Sequence, residues 1–284
     1  MRGVAMFDAF FRLGSALALY AALAQLLFIA TAQAAGDLEE LYSARTVITG
    51  ASLEDEKLRG FAECLEQVLI KVSGDSSLAG TPAVVALAAQ AEEFVEDYDL
   101  SDRMAAIPVH DEQGTRERPH TLTVRFSPEA INRALEQLGL APWLDRPTIA
   151  LAIDVDNGAQ RSLLTHNADF GADQRSAIEE AGNRLGLTLT FPEGAAQTNL
   201  AGNPARGSEK DLEQLLNLAR EAGGEALLAG FLVWDEQALR WTSQWELVWN
   251  ASPTRWEISA MSFDMIFDDT LEKTLALLSA EARG

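Results

Sequence analysis

The sequence predicts a mixed α/β (α+β) protein of two small domains, each with helices packed on a mixed or antiparallel sheet, behind an N-terminal signal peptide. Three observations support this prediction. Segments that alternate apolar and polar residues, as strands do, are interleaved with segments that carry apolar residues at helical spacing. A short segment flanked by prolines, residues 141–147, separates two such sets. Residues 1–34 differ in composition from everything after them.

Residues 1–34 have the three-part layout of a secretory signal peptide. Arg2 and Arg12 give a basic start, residues 13–30 carry no charge, and a small-x-small cleavage pattern follows. We therefore expect cleavage after Ala34 and a periplasmic protein without a stable membrane span. The alternative is an uncleaved inner-membrane anchor, because an apolar stretch of this length just spans a bilayer. Since no cysteine stands at the cleavage point, the sequence does not support acylation as a lipoprotein.

Composition narrows the classes of function. The chain has 284 residues and a formal net charge of −21, and because residues 1–34 hold two arginines and one aspartate, their removal leaves −22. Such an acidic chain lacks the basic face with which proteins bind nucleic acids, and anionic lipid head groups repel it. The rest of the chain is long enough for one large or two ordinary domains. Cys64 is the single cysteine, so in an oxidising compartment it has to be buried or it risks pairing with another chain.

The predicted first domain, residues 35–141, contains one strongly amphipathic helix. A capping box at Ser52 opens it, apolar residues recur at helical spacing as far as Val72, and Gly74 ends it. The acidic stretch 92–102 is interpreted as a solvated loop rather than as a site for a divalent cation or a basic partner. The predicted order is β-α-α-β-β-α, with strands at 43–49, 103–109 and 121–126, helices at 52–73, 82–94 and 127–138, and a hairpin turn at 110–119.

The predicted second domain, residues 142–284, begins with the proline-flanked segment. Residues 225–234 are apolar on both faces of a strand, which is typical of a central strand covered on both sides. The run from Asp154 to Gly158 resembles the start of a calcium loop, but its glycine stands at the fifth position and Thr165 at the twelfth, so it predicts a tight turn. The predicted order is β-α-β-α-β-β-β-α, with a loop at 192–207 and an antiparallel meander that includes segments 240–250 and 254–263.

Tryptophans are concentrated in that meander. Trp241, Trp245 and Trp249 share one face of a predicted strand, and Trp256 on the next strand can pack across from them. One hypothesis is an exposed aromatic surface for a partner protein, a small ligand or a glycan such as a peptidoglycan fragment. The alternative is that this face packs under the helices of the domain, because aromatic side chains dominate the energetics of cores. The polar residues on the opposite face of the strand favour this alternative.

No catalytic, cofactor-binding or metal-binding residue is assigned from the sequence. His110, His120 and His166 have no second histidine or cysteine at the spacing of zinc ligands. The G-x-S-x-G nucleophile elbow does not occur in the sequence either. A triad assembled by the fold from distant residues stays open, since triads are defined by geometry and not by sequence order.

A further set of features is spread over most of the chain. They are the segment EQVLIKVSGD at 66–75, a junction that carries Trp143 and Arg146, ALLAG at 226–230 and WTSQW at 241–245. Together with the signal peptide, these features resemble an uncharacterised family of secreted proteobacterial proteins, a domain of unknown function, over residues 40–280. The resemblance implies an exported bacterial protein. The family brings no accepted activity and no catalytic residues.

Three functional hypotheses follow. The leading one is a non-enzymatic periplasmic protein that binds an envelope protein partner, because an export signal is combined with a lack of recognisable site chemistry. The second is a protein that binds small ligands or glycans through the tryptophan-bearing strand face. The third is a hydrolase whose site, with His120 or His166, is assembled by the fold. The sequence leaves the oligomeric state open.

Overall fold

The computed structural model describes residues 39–50, 54–106, 118–193, 209–250 and 252–283. The predicted signal peptide lies outside these residues, as do most of the predicted turn at 110–119 and most of the predicted loop at 192–207. The described residues form two sheets with helices packed on them, which confirms the predicted mixed α/β fold class. The division of the chain between residues 141 and 142 stays a prediction.

The first sheet consists of three antiparallel strands. The elements of this part are β1 (Ser43–Thr49), α1 (Glu54–Ser73), α2 (Pro82–Ala88), β2 (Val95–Asp102), β3 (Pro119–Phe126) and α3 (Pro128–Gln137), with 3-10 helices at Ser76–Leu78 and Ala91–Phe94. The strand order is β1-β3-β2, so β1 and β2 are both edge strands. One face of the sheet packs against α1 and buries Ile48, Leu122 and Val124.

Helix α1 confirms the amphipathic helix predicted for the first domain, although the proposed cap at Ser52 lies outside the described residues. Its buried residues recur at helical spacing and include Phe61, Cys64, Leu65, Val68, Leu69 and Val72. Gly60 lets the helix approach the sheet closely, since a Cβ there would lie 2.5 Å from Cδ2 of Leu122 and 2.9 Å from Cγ2 of Ile48. Acidic residues in the first turn and Lys71 in the last turn suit the helix dipole.

The second strand of this sheet lies where the sequence predicted a solvated loop. The strand predicted at 103–109 is wrong at residues 103–106, which form a turn, and residues 107–109 lie outside the described residues. The acidic segment Val95–Asp102 is β2. Pairing with β3 satisfies the backbone groups of β2 that face β3, while its acidic side chains remain on the solvent side. Leu100 turns inward to the core. A charged edge strand is a known protection against pairing with other chains, which explains why charge did not exclude a strand here.

The second sheet is mixed. Its elements are β4 (Ile149–Asp156), β5 (Arg161–Leu163), α4 (Ala172–Leu185), β6 (Leu189–Thr190), α5 (Glu209–Ala222), β7 (Ala226–Asp235), β8 (Arg240–Trp249), β9 (Ser252–Ala260) and α6 (Phe263–Arg283). The strand order is β5-β4-β7-β8-β9, with β6 also paired to β4. The β4–β7 and β4–β6 pairs are parallel and the other pairs are antiparallel.

Both faces of the central strands β4 and β7 are covered. Leu151 and Leu228 lie in the core beneath α4 and α6, whereas Ala152 and Ala229 lie beneath α5. The apolar segment 225–234 is therefore a doubly covered central strand, as predicted. In the described residues, no helix combines the length and the apolar character that a membrane crossing requires.

The predicted order of elements in this part is correct apart from one added strand. The short strand β5 returns along β4 after a tight turn at the predicted DxDNG run. In that turn the carboxylate Oδ1 of Asp156 accepts the N–H of Gly158 at 2.9 Å, and Gly158 has a φ of +85°. Three residues give too short an alternating pattern for β5 to be predicted from sequence.

Candidate functional site

The tryptophan face of β8 and β9 is part of the core. Trp241, Trp245 and Trp256 are only 9%, 2% and 7% exposed, and Trp249 is half-buried. The ring of Trp241 meets that of Phe263 in α6 at a centroid distance of 5.8 Å. The hypothesis of an exposed aromatic surface is therefore wrong for three of its four residues. The physical reason is that α6 covers this face of the sheet.

A glycine explains why the largest of these rings turns inward. Trp245 lies directly across from Gly230 on β7, and a Cβ at Gly230 would come within 2.3 Å of the indole. The missing side chain leaves the space that the ring fills. The Nε1 of Trp245 donates to the hydroxyl of Ser243 at 2.8 Å, so the indole is satisfied within the core.

In the described part of the chain, neither His120 nor His166 is hydrogen-bonded to a serine hydroxyl. Nδ1 of His120 lies 2.9 Å from the carbonyl oxygen of Arg118, and His166 is exposed on a loop with its backbone N–H donating to Pro192. His110 lies outside the described residues. Within the same ranges, no group of three or more His, Cys, Asp or Glu residues is arranged to hold a metal ion.

A groove along the outer edge of β1 is the best candidate for a functional site. It lies between the first sheet and helix α4, and we call it the β1 groove. It has a polar part of about 530 Å³ and a more apolar part of about 590 Å³, which share Glu40, Glu179 and Asn183. Both volumes fall within the range of known ligand pockets.

The backbone of β1 forms one wall of the polar part, from Ser43 to Val47. The N–H of Phe126 donates to the carbonyl of Tyr42. The backbone N–H and C=O groups of the even-numbered residues of β1 therefore point toward β3, and those of the odd-numbered residues point away from the sheet edge. In the described residues, side chains of α1 occupy the outward carbonyls of Ser43 and Val47. No described group occupies the outward N–H and C=O of Arg45, which remain available to an added strand.

Lys71 forms the floor of the polar part. Its Nζ donates to the carbonyl oxygens of Ser43 at 2.7 Å and Glu40 at 3.2 Å, which ties α1 to the start of β1. Burial lowers the pKa of this lysine from 10.5 to about 8, against the opposing effect of Glu40. Because both contacts are to backbone carbonyls and the side chain is buried, we interpret Lys71 as a structural cation.

Charge is distributed unevenly across the polar part. Arg45 and Arg103 are exposed on the β1 side, and within the described residues neither guanidinium is in an ion pair. Arg184 on α4 is paired with Asp268 at 2.7 Å. Glu179 and Glu180 stand on the α4 side. The groove therefore offers two unpaired guanidinium groups on one wall in an otherwise strongly acidic chain.

The more apolar part of the groove continues toward the junction of the two sheets. Four leucines line it, namely Leu41, Leu144, Leu187 and Leu189. Leu144 is 47% exposed, so its side chain is accessible from solvent at the wall of the cavity. This part is suited to an apolar side chain of a ligand.

Arg146 holds the two sides of the groove together. Its guanidinium donates to the carbonyl of Lys71 near the end of α1, and to the carbonyls of Leu185 at 3.0 Å and Gly186 at 3.2 Å at the end of α4. The same group lies 4.6 Å from the ring of Trp143. One cation thus lies at the negative ends of two helix dipoles and stabilises both. Burial lowers the pKa of Arg146 to about 10.

Sequence reasoning missed most of this site. In the sequence, Trp143 and Arg146 are recognisable only as parts of a junction, and no motif includes Arg45 or Arg103. Lys71 did carry a signal, since it lies one and two helical turns after Val68 and Cys64 on the buried face of α1. The other residues come from distant segments, and no local pattern connects them.

The part of the chain that forms the β1 side of the groove matches a known family model. A family model described as a domain of unknown function (DUF8605) matches residues 35–144. It confirms the predicted resemblance to a domain of unknown function over that part of the chain. The match includes β1, α1 and Leu144 and ends before α4. No curated protein and no solved structure matches the chain.

Proposed function

We propose that this protein is a non-enzymatic binding protein of the bacterial envelope, and that its β1 groove holds an extended segment of a partner protein. The observation that carries the proposal is an open position on the edge of β1 inside a cavity wall, where Arg45 directs outward an N–H and a C=O that no described group occupies. An extended peptide that pairs with an exposed sheet edge gains main-chain hydrogen bonds, and pockets beside the edge select its side chains.

The two edges of the first sheet support this proposal by their contrast. The edge strand β2 carries four acidic residues, Glu96, Asp97, Asp99 and Asp102, which discourage pairing with another chain. The edge strand β1 carries no acidic residue and exposes Val47. The edge at β2 is thus protected by charge, whereas the edge at β1, which lies in the groove, is open at Arg45 between two carbonyls that α1 occupies.

The groove also indicates the chemistry of the partner segment. Arg45 and Arg103 are suited to carboxylates, because a guanidinium binds a carboxylate through two parallel hydrogen bonds. Leu144 and its neighbouring leucines are suited to an apolar anchor residue. We therefore propose an extended segment that carries acidic residues and one apolar side chain.

Site-specific photocrosslinking in cells tests the proposal. A photoreactive amino acid replaces Val47, which is exposed in the groove, or Val85, which is exposed on α2 outside it. We expect one discrete adduct from position 47 that position 85 does not give. Mass spectrometry then identifies the crosslinked segment of the partner, which is made as a synthetic peptide.

Calorimetry with that peptide gives the decisive measurement. Arg45→Glu and Leu144→Asp should each weaken its binding by roughly tenfold or more. The matched controls are Arg240→Glu and Leu239→Asp, which change exposed residues outside the groove. Equal effects of groove and control substitutions, or the same adducts from positions 47 and 85, would reject the groove as the binding site.

The compartment is part of the proposal. The basic start, uncharged stretch and small-residue site of residues 1–34 support export and cleavage after Ala34. Intact-mass measurement of the protein from a periplasmic extract should give a chain that begins at Ala35. A full-length mass in the membrane fraction would instead support the uncleaved anchor.

A further inference from the structure

The strand β9 offers a second open edge, on the other sheet. It is nine residues long, it is the last strand in the order β5-β4-β7-β8-β9, and its one neighbour among the described strands is β8. The carbonyl of Ile258 points toward β8, where it accepts the hydroxyl of Ser243 at 3.2 Å. Because the backbone groups alternate in direction along a strand, the N–H and C=O groups of Arg255, Glu257 and Ser259 point away from β8, toward the open edge of the sheet.

The one proline of β9, Pro253, keeps an outward C=O acceptor at the outer edge of the strand. Pro253 has no N–H, and by the same alternation that position faces outward, so pairing with β8 loses nothing. The carbonyl of Pro253 still points outward. The outer edge of β9 therefore carries three N–H donors and four C=O acceptors without described partners.

We propose that β9 pairs antiparallel with β9 of a second copy of this chain across a two-fold axis at Trp256. The midpoint of Ser252–Ala260 is residue 256, so this register overlaps the two strands along their full length. In it Arg255 lies opposite Glu257 of the partner copy, and Ser259 lies opposite Pro253. The outward groups then form six main-chain hydrogen bonds, because each Arg255–Glu257 pair exchanges two and each Ser259 N–H donates one to Pro253.

Charge selects this register over its neighbours. The neighbouring registers that keep the outward backbone groups facing one another have the two-fold axis at residue 255 or at residue 257. The first puts Arg255 opposite Arg255 of the partner copy, and the second puts Glu257 opposite Glu257. Like charges directly opposite on a sheet are destabilising, and opposite charges are stabilising. Arg255 and Glu257 are both exposed and both lie on the α5 side of the sheet, so they meet on the same face in the pair. Within the chain, Arg255 pairs with Glu246 at 2.8 Å and Glu257 accepts from Gln244 at 3.0 Å, so each meets the partner copy as a shared, solvent-facing charge. The register with complete overlap is thus the one with complementary charges.

Two apolar side chains beside the strand favour the same occupant. Met261, which directly follows β9, is 71% exposed, and Met265 in the first turn of α6 is 53% exposed. In the proposed pair these two side chains lie beside the strand that the second copy covers. On the α6 side of the sheet, the pairing also sets Trp256 opposite Trp256, and aromatic cross-strand pairs are among the favourable ones.

Analytical ultracentrifugation tests the dimer. The sample is the full chain purified from cells, with whatever N-terminal processing those cells carry out. We expect a concentration-dependent dimer. Glu257→Arg should raise its dissociation constant by roughly tenfold or more, because each Arg255 then faces an arginine. Glu281→Arg makes the same charge change at the exposed end of α6 and should leave the dimer unchanged. A chain that sediments as a monomer throughout, or a dimer that both variants weaken equally, would overturn the proposal.

Cysteine crosslinking tests the register itself. Thr254 should lie opposite Ile258 of the partner copy, and the one native cysteine, Cys64, is buried. A mixture of Thr254→Cys chains and Ile258→Cys chains should oxidise to a disulfide-linked dimer, whereas each variant alone should not. If either variant crosslinks alone as well as the mixture does, the register is wrong.

Discussion

Lys71 shows at the scale of one residue how this fold uses a buried charge. The ammonium lies on the apolar face of α1, yet it holds two carbonyl oxygens at the start of β1. Burial makes the folded protein bind the lysine proton less tightly than the unfolded chain, so the pKa falls to about 8 from 10.5. The charged form therefore opposes folding fully below pH 8, and this penalty is relieved as the pH rises toward 10.5.

The resulting pH dependence should be visible in a comparison with Lys71→Met. Between pH 7 and pH 9, the free energy of unfolding of the natural chain should rise by about 1 kcal/mol relative to that of the variant. Urea unfolding at the two pH values measures this difference. Burial also raises the pKa of the Cys64 thiol, to about 12, but both chains contain Cys64 and its ionisation cancels. A difference that does not change with pH would show that Lys71 titrates normally.

At the scale of an element, the pairing of β7 with β8 depends on one glycine. Gly230 leaves the space into which Trp245 folds, and this contact helps to turn the tryptophan face of β8 inward. Gly230 has no positive φ, so its role is steric and not conformational. The inward turn places the indole in the core beneath α6, where its ring lies 6.3 Å from that of Phe267.

Gly230→Ala should therefore destabilise the protein by about 2–3 kcal/mol, because the new methyl group overlaps the indole of Trp245. Urea unfolding measures the change. Gly139→Ala is the control: Gly139 has a φ of +75° and a Cβ there would meet no atom within 4 Å, so only backbone strain of about 1 kcal/mol is expected. In a double-mutant cycle, Trp245→Leu should remove much of the cost of Gly230→Ala. Additive effects in that cycle would exclude the steric explanation.

At the scale of the whole molecule, the relation between the two sheets depends on Arg146. Its guanidinium connects the end of α1 to the end of α4, and Ser279 in α6 donates to the carbonyl of Gly74 at 2.6 Å. These contacts bring α4 beside β1 and so form the groove. Lysine cannot replace this arginine, because a single ammonium lacks the planar fork that donates to four carbonyls, those of Lys71, Trp143, Leu185 and Gly186.

Arg146→Lys should lower the free energy of unfolding by about 2–3 kcal/mol, since at least one buried carbonyl loses its donor. Every tryptophan lies at or beyond Trp143, so intrinsic fluorescence reports the second part of the chain, whereas far-ultraviolet circular dichroism reports both. We expect the two unfolding curves to separate in this variant. Arg184→Lys changes a partly exposed ion pair and should cost less than about 1 kcal/mol with coincident curves. Coincident curves in both variants would show that Arg146 does not couple the two parts.

Much of the fold could be predicted from local patterns. The stripe of α1, the apolar strand β7 and the turn after β4 each have a period or a glycine that indicates one structure. Prediction failed for β2, because its acidic residues indicated a solvated loop. It also failed for β5, because three residues are too few to show the alternation of a strand. Of the candidate site, only Lys71 could have been suspected, because a charge on the buried side of a helix is visible in sequence.

By itself, the sequence determined the fold class, the order of most elements and the acidic character of the protein, because each depends on composition or on neighbours along the chain. Only the tertiary structure decided that Trp241, Trp245 and Trp256 are buried and that the edge of β1 faces α4. Arg45 and Glu179 come together because Arg146 joins two helix ends that are distant in sequence. Which face of a strand is covered, and which edge stays open, depends on packing between such distant elements, and no local period records it.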